Sequence, residues 1–113
     1  MTAYAFDLDG TLDRPGLAQM ANDLYDAGHQ VYVVTGGLAE VGEWTLEARE
    51  AKLAALGVRC TEIIRVIDPD IGQIGRLKGD ACNRLGAAVL IDDAPSYLTG
   101  AVTAAVKLLV LPA

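Results

Sequence analysis

The chain has 113 residues, of which 52% are apolar and only 5% aromatic, and its formal net charge at pH 7 is −6. This length predicts one domain spanning residues 1–113, with an aliphatic core. The negative charge argues against nucleic acid as a partner, because nucleic-acid sites are usually basic. No apolar run is long enough to span a membrane, and the N-terminus lacks a signal-peptide pattern, so we expect a cytoplasmic protein.

The first half of the chain alternates short apolar runs with longer amphipathic segments. Residues 3–8 and Val31–Val34 are predicted to be buried strands, and Thr35–Gly37 follows as a turn. Apolar residues at helical spacing predict helices over Leu17–Ala27 and Glu40–Leu56. The two strands are therefore expected to be joined by a helix, and a second helix follows.

The second half repeats this alternation. A strand is predicted over Ile63–Ile67, and the Gly-rich segment 68–78 is predicted to be a loop. The remaining predicted elements are the helix Asp80–Leu85, the strand Ala87–Ile91, the helix Tyr97–Thr103 and the strand Val106–Leu111. Strands that alternate with helices predict an α/β fold with a parallel sheet, and the chain leaves no room for a second domain.

Two cysteines, Cys60 and Cys82, occur without a C-x-x-C pattern or a histidine cluster. We expect two buried, reduced thiols rather than a disulfide or a zinc site, which fits a cytoplasmic compartment.

The first predicted strand ends in two aspartates, Asp7 and Asp9, followed at once by Gly10. Side chains at i and i+2 of a strand project to the same face, so the two carboxylates are expected to lie together. No cation adjoins them in sequence, and two such anions repel unless a metal or a proton lies between them. Gly10 allows a sharp turn that brings backbone N–H groups near an anion. This combination indicates phosphoryl chemistry.

Other polar residues follow the later strands. Thr35 ends the second predicted strand, Asp92 and Asp93 end the one that finishes at Ile91, and Lys78 precedes the last helix–strand unit. Ligands of open α/β sheets bind at the carboxyl ends of the strands. We therefore expect these side chains to meet Asp7 at one edge of the sheet.

These motifs resemble the haloacid dehalogenase (HAD) superfamily, in particular its phosphatase branch. The resemblance rests on F-D-L-D-G-T-L, then V-V-T-G-G, then Lys78, then L-I-D-D-A-P, in that order and across nearly the whole chain. It implies a three-layer α/β sandwich with a mainly parallel, Rossmann-like sheet. It also implies a Mg²⁺-dependent phosphomonoesterase.

The resemblance assigns roles by position in the motifs. Asp7 matches the nucleophile that forms an aspartyl-phosphate, and Asp9 matches the general acid/base. Thr35, with Gly36 beside it, matches the phosphate-binding position, and Lys78 matches the lysine that neutralises the phosphate. The approach to Lys78 lacks the frequent Lys-Pro, so Arg76 stays open as the alternative cation.

The same resemblance implies a Mg²⁺ site built from carboxylate and carbonyl oxygens, the ligands that this ion prefers. Asp7, Asp93 and the backbone carbonyl of Asp9 are the expected ligands. Asp92 is expected either to bind the ion or to orient one of its ligands, and the sequence does not choose between Asp92 and Asp93 as the direct ligand.

The intervals after the first and second motifs are too short for the cap domain that many members of this superfamily carry. We expect an open site, closed by a bulky substrate or by a second copy in a homo-oligomer. The expected substrate is a phosphorylated small molecule or a phosphoprotein. Trp44, on the predicted helix after the second motif, is assigned to packing, with the substrate entrance as its alternative.

Two other functions compete with the phosphatase. A receiver domain also combines Mg²⁺, a phosphorylated aspartate, a threonine and a lysine, but in a receiver the threonine and the lysine follow both acidic elements. Here Thr35 precedes Lys78 and the second acidic pair. A non-catalytic HAD-like scaffold is the third possibility, and the intact set of acidic residues argues against it.

Overall fold

The structure, a computed structural model, describes residues 2–95 and the strand 106–109. The predicted helix Tyr97–Thr103 lies outside the described residues. Within the described part, no helix combines the length and the apolar character needed to cross a membrane.

Five parallel strands form one sheet in the order β3-β2-β1-β4-β5. Their bounds are β1 Ala3–Phe6, β2 Gln30–Gly37, β3 Glu62–Ile67, β4 Ala87–Asp92 and β5 Val106–Leu109. The α/β class and the parallel sheet are confirmed. The strand β2 runs three residues further than predicted, so Thr35, Gly36 and Gly37 are strand residues rather than a turn.

Within the part of the chain that the structure describes, three α-helices cover the sheet. They are α1 Leu17–Asp26, α2 Leu46–Leu56 and α3 Ile74–Leu85. The prediction that α2 begins at Glu40 is wrong. A 3₁₀ turn at Gly42–Trp44 comes first, and the Thr45 hydroxyl caps α2 by accepting from the Ala48 N–H at 3.2 Å. Because Thr45 is extended and caps the helix, the residues before it are excluded from it.

The prediction of a loop over 68–78 is wrong for its second half. A 3₁₀ turn at Ile71–Gln73 leads directly into α3, which therefore begins six residues before the predicted Asp80. Gly75 and Gly79 weaken the helical signal in the sequence because glycine has low helix propensity. Both glycines are buried in the structure, so tertiary packing outweighs their propensity.

Side chains on the two faces of the sheet form two apolar clusters, as the alternation of strand residues requires. The cluster shared with α3 contains Ala3, Ala5, Tyr32, Val34, Ala81, Cys82, Ala87 and Leu90. The cluster shared with α1 and α2 contains Phe6, Leu8, Leu12, Ala21, Val31, Val33, Leu53 and Ile91. Helices thus lie on both faces, which is the predicted three-layer arrangement.

The connections between strands position the site. β1 has β2 on one side and β4 on the other, so the chain changes direction across the sheet at β1. Such a switch point leaves a crevice at the carboxyl ends of the strands, where ligands bind in open α/β sheets. Between β1 and β3 the described chain holds only α1, β2, α2 and short turns, with no inserted cap domain.

The cysteine expectation is confirmed in part. Both thiols are free, Cys82 is buried, and Cys60 is only half-buried. Burial raises the pKa of the Cys82 thiol to about 11, so this group is neutral at physiological pH.

The contact between Gly36 and α3 gives a stability prediction. A Cβ at Gly36 would lie 2.5 Å from Cγ2 of the buried Ile74, so Gly36→Ala should destabilise the protein by about 1–3 kcal/mol through overpacking. Chemical denaturation measures this loss. The double variant Gly36→Ala/Ile74→Ala removes the clash. The losses in free energy of unfolding of the two single variants, Gly36→Ala and Ile74→Ala, should therefore sum to more than the loss of the double variant. Additive losses would contradict the proposed contact.

Candidate active site

A cavity lies at the carboxyl edge of the sheet, beside the switch point at β1. Its volume is about 530 Å³. It is lined by Asp7, Asp9, Thr35, Gly36, Trp44, Ile71, Gly72, Gly75, Asp93 and Ala94. Most of the residues that the sequence singled out therefore meet at one cavity.

Asp7 follows the last residue of β1 and is held by contacts on three sides. Its backbone N–H donates to the Ile91 carbonyl at 2.8 Å, which continues the pairing of β1 with β4. One carboxylate oxygen accepts from Lys78 Nζ at 2.7 Å, and the other accepts from the Thr11 hydroxyl at 3.3 Å. The residue is 5% exposed, so the carboxylate is fixed in place at the cavity.

Lys78 reaches Asp7 from α3 rather than from a loop. Its side chain is fully buried, and its Nζ also donates to Asp92 Oδ2 at 2.7 Å. Burial alone would lower the pKa of Lys78, but the negative charges of Asp7 and Asp92 outweigh it, so the pKa lies above its ordinary value. Lys78 is therefore a buried ammonium that joins α3 to the ends of β1 and β4.

Arg76, the alternative cation, lies elsewhere. It is exposed on α3 and donates to Gln73 at 3.0 Å and to Asp80 at 3.1 Å. It does not line the cavity. The geometry thus places Lys78, and not Arg76, against the predicted nucleophile.

Asp7, Asp92 and Asp93 form a cluster in which one oxygen of each lies within 4.8 Å of the others. Asp92 is fully buried, and its two oxygens are engaged by Lys78 and by the Ala94 N–H at 3.0 Å. Asp93 is half-buried and lines the cavity. Asp7 and Asp93 are therefore the carboxylates placed to hold a cation, with Asp92 oriented through Lys78.

Gly10 makes room for Asp93. Its φ of +78° lies in the left-handed region that favours glycine, and a Cβ at this position would come within 2.6 Å of the Asp93 carboxyl carbon. The turn Leu8–Leu12 can therefore pass directly over the carboxylate of Asp93.

One ammonium faces three carboxylates, and this imbalance changes the ionisation of Asp7. Burial raises the pKa of Asp7 to about 7 from the ordinary 3.8, because the attraction of Lys78 is opposed by the charge of Asp92 and the contact with Asp93. A second cation at the cluster would reverse this shift. The donor set of carboxylate oxygens fits Mg²⁺.

Asp9 has partners that the sequence analysis missed. Its carboxylate accepts from Arg49 Nη1 at 2.8 Å and from Lys52 Nζ, both on α2. Burial alone would raise the pKa of Asp9, but the two cations hold it below its ordinary value. Arg49 is 3% exposed although arginine rarely lies in a protein interior, and its spacing of three residues from Lys52 on a helix was the available signal.

Four other residues complete the description. Thr35 is buried and lines the cavity, as does Gly36. Trp44 lies in the 3₁₀ turn rather than in the predicted helix, where it packs on Gly37 and also lines the cavity, so both the packing role and the position at the cavity are observed. Arg14, which the sequence gives no clear partner, donates through Nε to the Gly10 carbonyl.

Comparisons with known proteins support the fold. No protein-family model matches the chain, and none of the curated proteins matches it. Among solved structures it is similar to the D,D-heptose 1.7-bisphosphate phosphatase from B. bronchiseptica, complexed with magnesium and phosphate. The TM-score is 0.69 at 20% sequence identity, over 96% of this chain and 80% of that chain. This likeness confirms the predicted α/β sandwich with a parallel sheet as the fold of the chain.

The raised pKa of Asp7 gives a prediction about stability and pH. The folded state binds the Asp7 proton more tightly than the unfolded state does, so this contribution favours folding below about pH 4 and is lost as the pH rises through about 7. Asp7→Asn should therefore raise the Tm of the metal-free protein near pH 8, by about 4–8 °C for each ~1 kcal/mol recovered. The difference should disappear near pH 4. Thermal unfolding in a chelator measures it.

The control for this prediction is Asp26→Asn. Asp26 is an exposed carboxylate paired with Arg59 at 2.6 Å, so its removal changes the net charge equally without changing a buried group. Asp26→Asn should change the free energy of unfolding by no more than about 0.5 kcal/mol. A Tm for Asp7→Asn below that of Asp26→Asn near pH 8 would show that the Asp7 charge is net stabilising.

The carboxylate cluster gives a prediction about metal binding. Mg²⁺ should raise the Tm, by an amount equivalent to about 2–3 kcal/mol when its concentration is about a hundredfold above Kd. Asp93→Asn should abolish this increase because Asp93 is the cavity-facing carboxylate of the cluster. Asp80→Asn, which changes an exposed carboxylate on α3, should retain it. An equal Mg²⁺ response in the two variants would exclude Asp93 as a ligand.

Proposed function

We propose that the protein is a Mg²⁺-dependent phosphomonoesterase that acts through an aspartyl-phosphate at Asp7. The observation that carries the proposal is the placement of Asp7. It lies at the carboxyl end of β1, fixed by Lys78 and Thr11, with Asp9 and Asp93 lining the same cavity. Support comes from the fold, which is shared with a phosphatase whose structure holds magnesium and phosphate.

In the first step, the Asp7 carboxylate attacks the phosphorus atom of the ester. The new Asp7–phosphorus oxygen bond forms as the bond from phosphorus to the alcohol oxygen breaks, and that oxygen takes a proton from Asp9. In the second step, water attacks the same phosphorus, gives a proton to Asp9, and releases phosphate and the free Asp7 carboxylate. Asp9 thus ends each cycle in its starting protonation state.

Each charged partner has a function in these steps. Lys78 orients the Asp7 carboxylate and is the predicted partner of the phosphoryl oxygens, and Thr35 lies at the cavity to donate to them. Arg49 and Lys52 lower the pKa of Asp9, which favours the form that accepts a proton from water in the second step and opposes the protonated form that acts in the first step. Asp9 therefore has to take up a proton from solvent before it can act as the acid of the first step. When bound by Asp7 and Asp93, Mg²⁺ would supply positive charge to the phosphoryl group and keep Asp7 ionised.

Substitution of the two aspartates tests the proposal. With Mg²⁺ and an activated aryl phosphate as substrate, Asp7→Asn should lower the rate of phosphate release by at least ~10³-fold, because the covalent step requires the carboxylate. Asp9→Asn should lower it by about 10²–10⁴-fold through loss of proton transfer. The surface variant Asp26→Asn should be as active as the unmodified chain.

Two results would contradict the proposal. Near-native turnover by Asp7→Asn would exclude Asp7 as the nucleophile. Release of no more than one phosphate for each protein molecule would instead indicate a phospho-acceptor of the receiver kind, which holds a phosphoryl group rather than hydrolysing esters repeatedly. The measurement is the amount of phosphate released over time at several protein concentrations.

A further inference from the structure

The cavity has a polar floor and an apolar outer wall. Asp7, Asp93 and Thr35 lie on the side of the strand ends, where phosphoryl transfer is proposed. Trp44 and Ile71 line the cavity from the two 3₁₀ turns that precede α2 and α3. A phosphoryl group fills only part of a cavity of about 530 Å³, so the leaving group of the ester would meet the outer wall.

Trp44 is held in place by its surroundings. A Cβ on Gly37 would lie 2.7 Å from Cγ of the Trp44 side chain, so the tryptophan packs directly on the bare backbone of β2. Arg65 of β3 donates to the Trp44 carbonyl at 3.3 Å and also pairs with Glu40. The Thr45 hydroxyl donates to the Gly42 carbonyl at 3.1 Å. Hydrogen bonds therefore fix the turn that carries Trp44 to β3 and stabilise the end of this turn.

Ile71 is also set on a constrained turn. The Asp70 carboxylate accepts from the Gly72 N–H at 2.9 Å, and the Asp68 carboxylate accepts from the Asp70 N–H at 2.8 Å. The Ile71 side chain is nevertheless 61% exposed. Ile71 lies on the same cavity as Trp44, so the two side chains give the cavity an apolar stretch of the kind that receives the apolar part of a ligand.

The charge of the lining adds a second constraint. Among the described residues that line the cavity, three are acidic and none is basic. Lys78 lies behind Asp7 and is fully buried, and Arg49 and Lys52 are engaged by Asp9. A second anionic group on the substrate would therefore meet carboxylates or apolar side chains rather than a cation at this wall.

We infer that the Trp44–Ile71 wall is a leaving-group subsite for an uncharged, planar apolar group, so that the substrate is a small aryl-type phosphate monoester rather than a bisphosphate. The inference rests on the proposed function for the position of the phosphoryl group. An aromatic leaving group stacks on the indole of Trp44 and covers the side chain of Ile71.

A binding experiment without turnover tests the subsite independently of catalysis. Phenylphosphonate and methylphosphonate carry the same anionic head, and neither has the ester oxygen that a phosphatase releases. Trp44 is the only tryptophan of the chain, so its fluorescence reports ligands at this wall directly. With millimolar Mg²⁺ present, phenylphosphonate should bind at least about tenfold more tightly than methylphosphonate and should change the Trp44 emission.

Variants then assign the preference to the wall. Calorimetry, which does not depend on tryptophan, should show that Trp44→Ala reduces the phenyl preference to within about twofold. Leu46→Ala, which removes an exposed apolar side chain outside this cavity, should keep it. In kinetics, Trp44→Ala should raise KM for an aryl phosphate more than it lowers kcat, and the unmodified protein should prefer that ester to a sugar bisphosphate.

The outcomes separate this inference from the proposed function. Equal affinity for the two phosphonates, including failure of both to bind, would overturn the subsite, as would a phenyl preference that survives Trp44→Ala. A phenyl preference that depends on Trp44, in a protein that hydrolyses no phosphate ester, would support the subsite and contradict the proposed phosphatase.

Discussion

The buried ammonium of Lys78 is the interaction on which the site depends. It joins α3 to the carboxylates that end β1 and β4, at 2.7 Å from each. A charge that is fully buried loses its hydration, and this loss is offset only where the partners are well placed. Asp7, Asp92 and the first turns of α3 are therefore positioned by one another. The predicted nucleophile is oriented by the same contact that holds the helix on the sheet.

That contact leaves the site with excess negative charge. Lys78 supplies one positive charge to a cluster of three carboxylates. The pKa of Asp7 is raised chiefly by burial, and the charge of Asp92 opposes the lowering effect of Lys78. The chain does not use its other nearby cations to correct this, because Arg49 and Lys52 bind Asp9 on the opposite side of the turn. The two aspartates of the first motif thus have opposite environments. One binds a proton readily unless a cation is added, while the other is held ionised.

The sequence predicted the ends of β1 and β4 well because they are local features, whereas the end of β2 was placed three residues too early. Asp7, and likewise Asp92 and Asp93, follow directly after an apolar run. A few consecutive residues therefore indicate both the end of the strand and the carboxylates at that end. The sequence could not predict the partners of Asp9, since Arg49 is 40 residues away and the contact depends on how α2 packs. It also misplaced the start of α3. There the glycines that weaken the helical pattern are buried in the packed helix.

Two glycines at the end of β2 determine how close the walls of the cavity come. At Gly36 the missing side chain admits Ile74, and with it the turn of α3 that carries Lys78. Gly37 is the next residue and faces the opposite side of the strand, where the absence of a side chain admits the indole of Trp44. The charged floor and the apolar wall thus depend on adjacent positions of one strand. A side chain at the first would displace the cation of the reaction site, and one at the second would displace the surface proposed to receive the leaving group. The proposed chemistry and the proposed substrate selection therefore depend on different side chains, admitted by neighbouring glycines of one strand.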